Sequence, residues 1–542
     1  MSFSLAGKSI LIVEDNPVFR KAMRDMLYSL QAVTVAEADN GIAAINAMSK
    51  SSFDIVLCDY NLGVGKNGQQ VLEEARHRNL IDYRCVFVLI SAEQTTSAVL
   101  GVMDSKPDEY LTKPFNAQQL MSRLTRNFAR KEFMASIDKA LAGGDLSKAI
   151  QLCDALLLSA DKKMHLHLLK MRAELAISAG DFDKARQIYH EVLEHRELPW
   201  ARLGLGVIDF QNNNIEQAIA GFQSLVADNP MLMECYDWLG KAYEALDQYN
   251  DVESVLQQAL QLSPQSILRQ KKLAEAADKN GNLETAEKAY KSVVKLGKHS
   301  VHRACSDFSG LAKLYAKTNA ADEALKTLEE MRKEYANHPE AELRASTVEA
   351  DVYKTLGNEE LAQKALLKAV DICGRMGNKA PRDLQLEVVK TCFLSDEHDK
   401  AEEILYDLIH AHIDDEQFLN DLRRMQSGIG MDNHSEILIQ KTKQALIATN
   451  NKGVALYKQG KFTEALALFE QAILTMPDNK TIIVNMLKIM IHDLKVNEFC
   501  EEKNQRIKAL INKAKQIGVD QHKLGILQME YAKLRQSQAA KA

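Results

Sequence analysis

Five side chains in the first 115 residues have the types and spacing for phosphoryl chemistry. Glu14 and Asp15 follow the apolar run 10–13, Asp59 follows 55–58, Ser91 follows 86–90, and Lys113 follows 109–112. Three carboxylates brought together repel one another and raise each other's pKa unless a cation neutralises them. A hard divalent ion fits such a site, and Mg²⁺ suits few carboxylates with several waters. It would also shield a phosphoryl donor from the negative pocket. Asp59 precedes a glycine-rich turn (Gly63, Gly65, Gly68) and is then placed to attack phosphorus, forming an aspartyl phosphate. Lys113 would pair with the product's oxygens as a point charge, and Ser91 would donate a hydrogen bond to one of them. Tyr110 is the aromatic nearest this pocket in sequence and a candidate reporter of whether it is filled.

The elements that must position these groups are legible around them. Continuous apolar runs of four or five residues are what strands buried on both faces of a parallel sheet look like. In such sheets ligands collect in the crevice at the carboxyl ends of the strands. If these strands are parallel, three carboxylates, a hydroxyl and an ammonium meet in one crevice. The expected fold there is α/β, a doubly wound five-stranded parallel sheet.

With those residues in place, segment 8–130 resembles the receiver domain of bacterial two-component response regulators. The resemblance rests on the acidic pair Glu14 and Asp15, Asp59, the hydroxyl of Ser91 followed by the small Ala92, the aromatic Tyr110, and Lys113 followed by Pro114. It implies that Asp59 is the phospho-acceptor and that Ser91 and Tyr110 form the switch. It implies metal ligation by Asp15, Asp59 and the backbone carbonyl of Asn61, with Glu14 beside them. It also implies that Asn61 and Glu93, two residues beyond the acceptor and the hydroxyl, tune hydrolysis. Two departures stand out. The loop 61–68 lacks a commonly found proline and is slightly long, and Lys106, Pro107, Asp108 and Glu109 replace a stretch of small residues.

At 542 residues the chain is too long for one core. It is 46% apolar and 26% charged, a globular balance. Net charge is −6 and no dense Lys/Arg block occurs, which argues against a nucleic-acid-binding output. Eight cysteines without a CxxC pair suit a reducing compartment. No membrane-length apolar stretch or signal peptide is read, so the expected location is the cytoplasm.

Beyond residue 116 nothing reads as a strand, and the sequence repeats. Gly206, Gly240 and Ala274 are spaced by 34, as are Phe222, Leu256 and Tyr290, and Pro230 and Pro264. This period resembles the tetratricopeptide repeat. Its small second-helix residue recurs as Ala149, Ala185, Ala218, Val252, Ala286, Ala324, Ala362, Ala401 and Ala465. In five units a turn glycine stands five residues earlier: Gly144, Gly180, Gly281, Gly357 and Gly460. The expected division is a receiver over 1–130 and an all-α solenoid over 131–542, degenerate near 411–449 and after 480. Charged groove positions (Glu234, Asp237, Lys241, Glu244, Lys271, Glu275, Asp278, Lys313, Lys317) read as a solvated face, and Trp200 and Phe210 as packing. Glu-Ala-Leu triplets and Gly143-Gly144-Asp145 mimic cyclic-dinucleotide signatures but fall on repeat helices and turns.

The resulting expectation is a response regulator rather than an enzyme. A sensor histidine kinase or phosphotransfer protein would phosphorylate Asp59 with Mg²⁺ as cofactor, and the repeats would bind an unidentified protein in a phosphorylation-dependent way. The alternative is a phosphate sink or inhibitor whose repeats bind the kinase itself. From Asn116 to Ala142 the chain has neither proline nor glycine, so one rod or a singly kinked helix should join the two parts.

Overall fold

The computed structural model describes residues 4–93, 95–496 and 501–539. The strands are β1 (Ser9–Val13), β2 (Thr34–Ala38), β3 (Ile55–Asp59), β4 (Val86–Ser91) and β5 (Glu109–Thr112). They form one sheet in the order β2-β1-β3-β4-β5, every neighbouring pair parallel. Side chains alternate between the faces. Leu11, Val13, Val56, Cys58, Phe87 and Leu89 pack against α2 (Gly41–Lys50) and α3 (Gly68–His77). Ile10, Ile12, Ile55, Leu57, Val88 and Ile90 pack against α1 (Pro17–Ser29) and the start of α5 (Ala117–Ala142). Both faces being covered explains the continuous apolar runs. β2 lies at the edge and has only Ala38 buried, so its sequence TVAEA carries no such run.

α5 is a single helix of 26 residues. Asn116 and Gln119 form a capping box at its start, and Gly143 ends it. Its first half buries Leu120 and Leu124 against the sheet, and its second half buries Met134 and Ile137 in the first hairpin. The Gly-Gly-Asp triplet is thereby explained: Asp145 caps α6 (Leu146–Leu157) by accepting from the Lys148 N–H.

Helical hairpins follow. In nine of them the small residue is the fourth of the second helix, from Ala149 in α6 to Ala465 in the helix Phe462–Thr475, and every one is buried. Five residues earlier the backbone turns left-handed in all nine. The five glycines do so, and so do Asn213, Asp247, Asn319 and Asp396 at φ 63°, 55°, 57° and 58°. Asn and Asp tolerate this region better than other side chains do. Hence four turns carry no glycine. Close approach governs the first helices instead: a Cβ on Gly206 would lie 2.5 Å from the Phe222 ring, and one on Gly453 2.3 Å from Phe469.

The chain forms two compact units, Met1–Thr318 and Asn319–Ala542. The first contains the sheet and the hairpins up to the helix Cys305–Lys317. The second is helical throughout its described residues, with cores around Leu366, Val389, Leu405, Leu422 and Phe469 and around Leu487, Ile507 and Tyr531. Its degenerate segment has a physical form: after the helix Glu416–Ser427, one long helix, Glu436–Lys458, also serves as the first arm of the hairpin that turns at Gly460.

Candidate phosphoryl-transfer site

The strand order reverses between β1 and β3, and the crevice at their carboxyl ends holds the expected groups. Glu14 and Asp15 follow β1, Asp59 ends β3, and Ser91 ends β4. Glu14, Asp15 and Asp59 each offer a carboxylate oxygen within 4.8 Å of the others. Among the described residues no other group of three His, Cys, Asp or Glu side chains gathers in this way, so His165 and His167 form no such group. Lys113, one residue beyond β5, bridges the cluster: its Nζ lies 2.7 Å from Glu14 Oε2 and 2.8 Å from Asp59 Oδ1. The Lys113–Pro114 peptide bond is cis.

Burial dominates the electrostatics. Glu14 is 1% exposed and Asp59 6%, whereas Asp15 is exposed. Desolvation raises the Asp59 carboxyl above the usual range; Lys113 and the Asn61 N–H oppose the shift, and the Asp15 charge adds to it. Glu14 is raised for the same first reason, opposed mainly by Lys113. For Lys113, burial disfavours the charge, but hydrogen bonds to Asp59 and Glu14 outweigh it and hold the ammonium above its ordinary value. A single ammonium thus faces two buried carboxylates and an exposed one. The excess of negative charge and the all-oxygen donor set suit a small hard dication such as Mg²⁺.

The loops are held by backbone geometry. Gly63 is left-handed at φ 70°, and a Cβ there would lie 3.1 Å from Asp15 Oδ2. Gly68 starts α3 directly behind the site, its N–H donating to Tyr60 O at 2.8 Å. Ser91 is 4% exposed and its Oγ accepts from the Glu93 N–H at 3.0 Å. Tyr110 donates its hydroxyl proton to Glu93 O at 2.8 Å, so the aromatic meets the loop that leaves Ser91. Cys58 is fully buried in the strand, and burial pushes its thiol well up, away from reactivity.

Three neighbours were not singled out from sequence. Phe19 lies under Lys113, with Nζ 4.9 Å from the ring centroid. Its position in the first turn of α1, four residues after Asp15, was a usable signal. Arg20 donates to Glu14 O at 2.6 Å. Tyr60, adjacent to Asp59, donates its hydroxyl to Gln265 Oε1 at 3.1 Å, a partner 205 residues away that no local pattern indicates.

The groove positions need correction. They are not simply a solvated face: Asp237 is paired with Arg269 at 2.8 Å, Lys271 with Asp307 at 2.7 Å, and Asp278 with Lys317 at 2.5 Å. Glu234 lies 3.8 Å from Lys106 in the loop after the helix Thr96–Asp104. Repeat periodicity shows which residues share a face but not what is laid against it. The aromatics do pack, Trp200 edge-on to Tyr189 at 5.9 Å and Phe210 edge-on to Trp238 at 5.6 Å.

Comparison with known proteins agrees with this geometry. Residues 10–125 match the response regulator receiver domain. Tetratricopeptide repeat models match 176–233, 234–266, 343–374 and 447–479, and a PPR repeat model matches 308–335. The chain is 30% identical over 121 residues to chemotaxis protein CheY-3 of Vibrio cholerae serotype O1, covering 22% of this chain and 92% of that protein. It is 33% identical over 115 residues to the response regulator protein PmrA of Pseudomonas aeruginosa, covering 21% and 50%. A similar solved structure is the receiver domain of sensor histidine kinase PA1611 from Pseudomonas aeruginosa PAO1, with a magnesium ion coordinated in its active site cleft. It is 30% identical, covers 23% of this chain and 99% of that one, and has a TM-score of 0.21. A tetratricopeptide repeat protein from Parabacteroides merdae is 17% identical, covers 45% and 93%, and has a TM-score of 0.30. The chain belongs to the response regulator receiver family. Its receiver is followed by tetratricopeptide repeats, an architecture of two-component signalling joined to a protein-interaction domain.

Proposed function

We propose that this chain is a non-enzymatic response regulator, with a receiver over 1–130 that controls what the repeats of 131–542 bind. The observation that carries the reading is the cluster of Glu14, Asp15 and Asp59 at the carboxyl ends of parallel strands, with Lys113 between the two buried carboxylates. A sensor histidine kinase or phosphotransfer protein is the donor. An Asp59 oxygen attacks phosphorus, an O–P bond forms as the N–P bond of the donor phosphohistidine breaks, and the histidine nitrogen keeps the electron pair. Lys113 then pairs with a phosphoryl oxygen and Ser91 donates its hydroxyl proton to another. Glu14, Asp15, Asp59 and the Asn61 carbonyl would hold Mg²⁺, which when bound neutralises the charge that develops on the phosphoryl oxygens.

Acetyl phosphate with Mg²⁺ should add one phosphoryl group to the full chain, and peptide mapping should place it on Asp59. Labelling at another residue, or none, would overturn the assignment. A second expectation concerns lifetime. Asn61 and Glu93 are polar and able to orient water toward the aspartyl phosphate, so the modified chain should revert quickly in Mg²⁺ at neutral pH. Loss of label is followed by intact mass, and a phosphoryl group that persists for hours contradicts this role for the pair.

A further inference from the structure

Within the first compact unit the receiver lies against the repeats, and the contact is centred on one buried guanidinium. Arg269, in the helix Ile267–Lys279, has a side chain only 6% exposed. Its Nε and Nη2 each reach an Asp237 oxygen at 2.8 Å. Its Nη1 and Nη2 reach the two oxygens of Asp104, at 2.7 and 3.0 Å. Ser263 adds its hydroxyl proton to Asp104 at 2.9 Å. Asp237 and Ser263 belong to the repeats, whereas Asp104 is the last residue of α4 (Thr96–Asp104) in the receiver.

A carboxylate at a helix C-terminus opposes the helix dipole and weakens the receiver's own helix. Asp104 is explained by what it meets across the joint. Leu100 stands four residues earlier on the same face of α4 and packs against the repeat core around Leu239 and Leu256. Val102 points the other way, into the receiver core. The repeats therefore read a short pattern on a helix: an apolar residue, three intervening positions, and an acid.

The joint is tied to the phosphoryl site by both loops that leave it. Tyr60, next to Asp59, reaches Gln265, and Lys66 in the same loop donates to His299 O at 3.0 Å. The other loop starts at Ser91, is held by Tyr110 through Glu93, and leads into α4. Between the two faces a cleft of about 540 Å³ remains, lined by Glu73, Arg76, Asp104, Gln265 and His302 among others.

We propose that Arg269, Asp237 and Ser263 form a carboxylate-reading site for a protein partner's helix, and that α4 fills this site with Asp104 until Asp59 is phosphorylated. This rests on the receiver reading above. When the Ser91 hydroxyl turns to the phosphoryl group it gives up its present hydrogen-bond arrangement with Glu93, and the loop that positions α4 shifts. The partner then presents the same two features in trans, a large apolar side chain and, four residues on, Asp or Glu.

The test uses the full chain in Mg²⁺, with and without beryllofluoride, and two readouts. Hydrogen exchange in segments 95–108 and 260–272 should be slow in the wild type and accelerate with beryllofluoride. Asp104→Asn should show the fast pattern without it, while its circular dichroism stays that of the wild type. A fluorescein-labelled peptide copying residues 95–108 should bind the beryllofluoride form at least about tenfold more tightly than the untreated form, and the same peptide with Asp104→Asn should lose that gain. Slow exchange in Asp104→Asn overturns the latch, and so does peptide binding that ignores beryllofluoride. Binding that ignores the peptide's aspartate, or no binding to the opened Asp104→Asn chain, overturns the carboxylate site. Should Asp59 take no phosphoryl group, the receiver reading fails separately, because Asp104→Asn opens the joint by itself.

Discussion

Lys113→Ala lowers the stability of the metal-free receiver by about 3 kcal/mol, the scale for removing one partner from a buried charge cluster. The side chains of Lys113, Glu14 and Asp59 are 15%, 2% and 9% exposed, so water does little to replace the ammonium. Two consequences identify the cause as charge rather than lost packing. Glu14 and Asp59 already have pKa values raised by burial, and without Lys113 they rise further. A raised folded-state pKa stabilises fully below the unfolded value and loses that contribution as pH climbs through the folded one. The deficit is therefore small near the ordinary carboxylate range, about pH 4, and largest toward about pH 8. Millimolar Mg²⁺, by binding the folded cluster only, returns much of the loss. Hydrogen exchange of the β3 and β4 amides is the measurement, since it reports opening of this sheet without requiring the whole chain to unfold in one step. A deficit that is equal at both pH values and unchanged by Mg²⁺ would show that Lys113 acts there only through its packing.

Gly68→Ala carries the second large effect. The added Cβ falls 2.2 Å from the carbonyl oxygen of Asp59 and 2.9 Å from Leu89 Cδ2. Neither neighbour can yield cheaply: the oxygen belongs to the backbone of β3, and Leu89 is fully buried in β4. The Gly68 N–H bond to Tyr60 O fixes the same approach from the other side. The expected cost is about 3 kcal/mol by the same exchange measurement, at the upper end of overpacking effects. Phosphoryl uptake at Asp59 should fall with it. Gly7→Ala is the comparison, a left-handed position at φ 83° with nothing within 4 Å of its added Cβ, where only backbone strain of about 1 kcal/mol applies. Equal costs at the two positions would mean that the loop behind Asp59 relaxes freely.

The chemical centre was legible because the carboxylates and Ser91 stand at the ends of apolar strands, where local sequence and sheet topology coincide, and Lys113 directly follows the edge strand β5. The edge strand β2 left no comparable run because, at the margin of the sheet, it buries only Ala38. Repeat turns were legible only where glycine occupies them; Asn213, Asp247, Asn319 and Asp396 do the same work with side chains that also occur in ordinary polar surface. Arg269 was invisible for a different reason. It falls between the groove positions that periodicity marks, and its partners Asp104 and Asp237 are 165 and 32 residues away. No pattern on one helix announces a contact closed by a second domain.

The single helix joining receiver to repeats also limits how the gene can change. Along α5 each added or lost residue turns everything beyond it by about 100° and moves it by about 1.5 Å. A surface loop absorbs such changes, but an unbroken helix of 26 residues transmits them whole. Because Arg269 holds the receiver at a second point, the two attachments must agree in phase. Insertions of one or two residues in α5 rotate the receiver off the repeats, while three or four come back near the starting azimuth displaced along the axis. Even a whole-turn change shifts the receiver about 5.4 Å along the axis, too far for Arg269 to keep its 2.7 and 3.0 Å contacts with Asp104, so placing a different receiver on these repeats requires a match in helical register and length before any match in surface.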